Sequence, residues 1–235
     1  MAERHLPTLS PHLVYPSMLA LFAVSLLAGA TLFSLWYFYC VSHARQRAVQ
    51  VLGWIEGMLM GHGHVSGIQW QAASRFQVPI RLRSNIFREA SWIVQMSPRE
   101  FPLRWLLARL RKDQETLTFE ANLEFAPSFN LELQNYRLYA RTHKDLDPEG
   151  QGWHYEQATP FILTTRADWR KEITDIIASL LSSSDRKFLH VRFRRTAPHF
   201  TAVLPLEAIA PGNPDRPLMF DALCQLAAGS SASQV

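Results

Sequence analysis

Residues 15–41, YPSMLALFAVSLLAGATLFSLWYFYCV, contain no Asp, Glu, Lys, Arg or His. As a helix rising about 1.5 Å per residue, this run spans about 40 Å, against about 30 Å of bilayer hydrocarbon. A helix satisfies its own backbone groups, which a lipid environment requires. Trp36, Tyr37 and Tyr39 crowd one end of the run and Tyr15 marks the other. Such rings settle at the boundary layer, body in the apolar zone and polar edge in water. Pro16 suits a first helical turn, where its missing N–H costs little. These features predict a retained transmembrane helix. A cleaved signal peptide would need a basic leader and an apolar core of roughly 7–15 residues. Residues 1–14 instead form a short polar leader in which Arg4 is offset by Glu3.

Lys and Arg collect on the cytoplasmic side of a span. The leader has one such residue, and the stretch just after the span has Arg45 and Arg47. The expected orientation is therefore N-terminus out and C-terminal domain in the cytoplasm. Tyr15, Trp36, Tyr37, Tyr39, Arg45 and Arg47 are the expected membrane-interface residues.

The remainder is long enough for one domain with a real core. Hydrophobic content of 48% and charged content of 19% exclude a disordered tail. Cys40 lies in the span and Cys224 near the C-terminus, so no disulfide framework is implied. Residues 75–112 carry nine Lys/Arg and two acids, whereas residues 113–235 carry twelve and sixteen. A basic region near the anchor points to anionic lipid headgroups as a partner.

Residues 42–61 read as an amphipathic connecting helix, with Ala48, Val51, Leu52, Ile55, Met58 and Leu59 on one face and Gly61 ending it. Residues 62–228 read as one soluble α+β domain, and residues 229–235 as a flexible tail. Period-two alternation predicts strands in which Ile68, Trp70 and Ala72, then Phe76, Val78, Ile80 and Leu82, then Ala90, Trp92, Val94 and Met96 face a core. Residues 98–112 switch to a helical period. Leu103, Leu106, Leu107 and Leu110 form a stripe among Arg104, Arg109, Arg111 and Lys112, the expected contacts for an anionic surface. Packing of that stripe on the sheet is the first expectation, and a membrane-surface helix the second.

Leu117, Phe119, Ala121, Leu123 and Phe125 alternate, and Leu131 and Leu133 resume after a Pro-containing turn, which predicts a hairpin over residues 116–140. Residues 142–160 are polar and rich in Gly, Pro and charge, as in a surface loop. Residues 165–181 have a helical stripe, with Thr165 and Asp168 as a weak capping box. Leu189, Val191 and Phe193, then Phe200, Ala202 and Leu204, give two further strands. Met219, Ala222, Leu223 and Leu226 suit a closing helix. The architecture expected is one transmembrane helix followed by a mainly antiparallel sheet with two or three packed helices.

No phosphate loop, dinucleotide fingerprint, nucleophile elbow, H-E-x-x-H or C-x-x-C occurs. No metal or cofactor site is expected. His62 and His64 sit in a Gly-His-Gly-His turn, which lacks a third ligand. The leading expectation is a single-pass membrane protein with a binding or scaffolding domain, such as an accessory subunit of a membrane complex. The alternative is a tethered hydrolase using His62 or His64 with Asp145 or Asp147. Nucleic-acid binding is the weakest reading, because stacking needs exposed rings and Phe76 and Trp92 lie on the apolar strand face. Trp54 and Trp153 are the rings expected at the surface.

Overall fold

The computed structural model of the protein describes residues 15–99, 101–111, 114–135, 153–158, 161–166, 188–213 and 216–232. The chain divides into two compact units, Met1–His43 and Ala44–Val235. Helix α1 (Tyr15–Met58) runs without a break through the apolar stretch and the predicted connecting helix. Within its apolar part the hydroxyls of Ser25, Thr31 and Ser34 donate to the carbonyls of Leu21, Leu27 and Ala30, at 2.7–2.8 Å. These three hydroxyls are thus satisfied inside the helix, as hydrocarbon demands.

In the second unit α1 buries Ala48, Val51, Ile55 and Met58, with Leu59 just beyond its end, so the predicted stripe is a core stripe. The helix stops where Gly61 takes a φ of 88°, a conformation costly for other residues. The N–H groups of His62 and Gly63 both donate to the Leu59 carbonyl. At Gly63 a Cβ would lie 2.3 Å from the Arg81 carbonyl oxygen, so glycine permits the close approach of the first strand to its neighbour.

Ten described strands follow: β1 (Gly63–Val65), β2 (Gln69–Ala72), β3 (Arg75–Leu82), β4 (Phe87–Gln95), β5 (Thr116–Leu123), β6 (Leu131–Asn135), β7 (Trp153–Ala158), β8 (Phe161–Arg166), β9 (His190–Phe193) and β10 (Phe200–Pro205). They form one antiparallel sheet in the order β1-β3-β4-β5-β10-β9-β6-β8-β7, with β2 paired to β3. Helix α2 (Pro102–Arg111) lies between β4 and β5 in the chain, and α3 (Arg216–Ala232) closes it.

The register places Val78, Trp92, Phe119, Ala202, Val191 and Leu133 in one row across six strands. All six are buried. The end of α1 and the Met219, Phe220, Ala222, Leu223 and Leu226 face of α3 share a single core with this sheet face. The fold is α+β, an antiparallel sheet with the end of α1 and α3 packed on one face.

Several local expectations are corrected. Strands β5 and β6 are not a hairpin: β10 and β9 lie between them, because β5 pairs with β4 and β10 while β6 pairs with β8 and β9. Phe125 lies beyond β5 and is exposed. Part of the expected 142–160 loop is strand β7, paired along its length with β8. Thr165 does not cap a helix but lies within β8, where its hydroxyl donates to the Asn130 carbonyl; residues 167–181 lie outside the described residues. Ile68 and Trp70 do not face the core: among the described residues β2 pairs with β3 alone, and Trp70 is 43% exposed. Trp54 is partly buried against the core rather than at the surface.

Candidate functional site

The largest departure from expectation is α2. Its leucine stripe is not packed on the sheet: Leu103 is 76% exposed and Leu110 71%, with Leu106 and Leu107 about half exposed. Ala108 is buried and Trp105 half-buried, so the less exposed side of the helix is the one opposite the leucines. Arg104 lies over the Phe101 ring and Arg109 over the Trp105 ring, at 5.6 and 5.5 Å. Arg111 is also exposed. Lys112 lies outside the described residues.

Around the apolar run of α1, Tyr37 and Tyr39 are exposed and Trp36 nearly as much. Arg45 is exposed, as expected of an interface residue. Arg47 is drawn into the second unit: its guanidinium lies 4.7 Å over Trp54, bonds Gln50 at 3.2 Å and stands 4.0 Å from Glu115.

The outer sheet face carries a polar cluster that no motif announced. Register sets Glu132 beside Arg192 and Gln134 beside His190. His190 Nε2 lies 3.0 Å from Glu132 Oε1, Gln134 donates to the same oxygen at 2.8 Å, and Arg192 stands 3.6 Å from Oε2. The His190 hydrogen bond, then Gln134 and the charges of Arg192 and His190, outweigh burial and hold the Glu132 carboxyl at about 2, well below its usual 4.5. A carboxylate held by three partners is a clamp between β6 and β9. The depressed value means that its stabilisation is present above pH 4.5 and is lost as pH falls toward about 2. Glu132→Gln is expected to cost on the order of 2 kcal/mol at neutral pH, discounted for solvent screening, and to flatten the acid limb of the stability profile. Denaturant unfolding of the full chain in detergent, from neutral pH to pH 2, measures both.

A groove of about 890 Å³ lies on the same outer face, lined by Gln77, Arg81, Arg88, Ser91, Glu120 and Asn122 among others, with Ala197 and Pro198 of the β9–β10 connection. Gln71, Gln77 and Ser91 are linked by hydrogen bonds across β2, β3 and β4. Asn122 donates to Glu89, while its buried Oδ1 has no partner among the described residues. The groove therefore offers mixed polar chemistry with both signs of charge.

His62 meets Asp221 at 3.2 Å and packs on the Phe220 ring, and His64 is exposed on β1. Asp145 and Asp147, the carboxylates of the hydrolase reading, lie outside the described residues. Burial, then Asp221, pushes the Cys224 thiol up to about 11, so it is protonated at neutral pH and a poor nucleophile. Among the described residues no group of three His, Cys, Asp or Glu could hold a metal ion. Phe76 and Trp92 are fully buried and have no free face for a base. In comparison with known proteins, no family model and no curated sequence matches the chain.

Proposed function

We propose that this chain is a single-pass membrane-anchored protein whose α+β domain lies in the cytoplasm and binds or scaffolds, as an accessory subunit of a membrane complex. The observation that carries the reading is α1. It is long and apolar enough to cross a membrane, with an 18-residue window of mean hydropathy 2.2 that is unburied among the described residues. Such a surface is costly in water and favourable in lipid. The orientation rests on Arg45 and Arg47 against the lone Arg4. The binding role rests on the outer sheet face, which presents a polar groove, while the Glu132 cluster reads as a structural clamp. Alkaline carbonate extraction of membranes tests the anchor. The full chain is expected in the pellet; recovery in the supernatant rejects the reading.

A further inference from the structure

We propose that α2 is an in-plane lipid-binding helix that lies on the anionic leaflet of the membrane to which the chain is anchored. The proposal deepens the anchored reading and rests on it, because the tether is what holds the domain at a bilayer.

The argument begins with the helical wheel. At about 100° per residue, Leu103, Leu106, Leu107 and Leu110 fall within an arc of about 100°. The same spacing sets Arg104 and Arg111 along one border of that arc and Arg109 along the other. Ala108 and Trp105 fall on the far side, and these are the less exposed positions of the helix. The leucine face is therefore turned away from the domain that carries it. A stripe of four leucines in water is unfavourable unless something covers it.

Charge decides what covers it. The helix holds three Arg and no acid, and it sits in a region, residues 75–112, with nine Lys/Arg and two acids. Arg on both borders of a leucine stripe suits a helix lying flat in an interface. The leucine tips enter the acyl boundary, and the flexible Arg stems let the guanidinium groups remain among the phosphates. Each such charge strengthens partitioning to an anionic surface about fivefold.

The test uses the full chain in nanodiscs, with Cys40→Ser and Cys224→Ser and a single Leu107→Cys carrying an environment-sensitive fluorophore. The discs contain phosphatidylcholine, with or without phosphatidylserine, and a trace of lipid spin-labelled near the headgroup. The expected result is blue-shifted emission quenched by the spin label in phosphatidylserine discs. The triple change Arg104→Gln, Arg109→Gln, Arg111→Gln is expected to reduce the ratio of shielded to exposed label tenfold or more, while the chain stays in the disc. A label that remains in water in phosphatidylserine discs, with the chain inserted, overturns this inference and leaves the anchor standing. A label shielded without lipid quenching assigns the face to a protein or a second copy and overturns it. Equal insertion without phosphatidylserine overturns the anionic assignment. A chain that does not enter the discs overturns the anchored reading, and this one with it.

Discussion

Phe119→Ala is expected to destabilise the domain by about 4 kcal/mol, within the range for removing a buried aromatic side chain. Phe119 is fully buried at the centre of the sheet. Its ring lies 4.7 Å from Trp92, 5.5 Å from Phe87, 5.9 Å from Phe200 and 6.1 Å from Phe220. These partners come from β4, the start of β4, β10 and α3, so the cavity would open where sheet and helix meet. Partial collapse cannot fill it without moving several elements at once. Thermal unfolding of the full chain in detergent is expected to shift down by about 10 °C. Trp92→Phe provides the contrast. The Trp92 Nε1 is buried without a partner among the described residues. Phenylalanine keeps most of the ring and removes an unsatisfied N–H, so the cost is expected below about 1.5 kcal/mol. Equal losses from the two variants would mean that the shared core is not built around Phe119.

The second large effect concerns the anchor. Leu26→Lys combined with Ala30→Lys places two ammonium groups one helical turn apart near the middle of the apolar run. Each is expected to cost about 3 kcal/mol at the bilayer centre, hence about 6 kcal/mol for the pair. That loss exceeds a factor of ten thousand in an insertion equilibrium. The double variant is expected to move from the carbonate pellet to the supernatant. The same change at Leu103 and Leu107 in α2 is expected to leave the chain in the pellet, because α2 is not the anchor. A double variant in α1 that still resists carbonate would show that residues 15–41 do not hold the protein in the membrane.

Much of the architecture is readable in the sequence alone. The uncharged run, the Val51–Ile55–Met58 stripe, the alternations of β3, β4, β5, β9 and β10 and the closing helix all assign residues to faces. Faces are what a period of two or 3.6 encodes. Neighbours are a different matter. Leu123 and Leu131 are separated by a short connection that invites a hairpin, yet β10 and β9 occupy the space between their strands. Nothing in alternation distinguishes a partner seven residues away from one eighty residues away. Strand β7 was hidden for a related reason. Its sequence, WHYEQA, is polar, and among the described residues it lies at the end of the strand order beside β8 alone.

The sites divide along the same line. The amphipathic character of α2 was legible from Leu103 to Leu110, but amphipathicity is the same whether the stripe is covered by the domain or left bare. Solvent exposure decided it. The Glu132 clamp was illegible, because Glu132, His190 and Arg192 read as ordinary polar positions on the wet faces of two strands. Only the β6–β9 register brings them together.

Protease accessibility of a C-terminal tag in sealed vesicles, inverted and right-side-out, tests the central claim most directly. The account predicts cleavage in inverted vesicles alone, with the tag protected when the vesicles are right-side-out. Cleavage in right-side-out vesicles alone would contradict it and place the domain, with its basic 75–112 region, outside the cytoplasm.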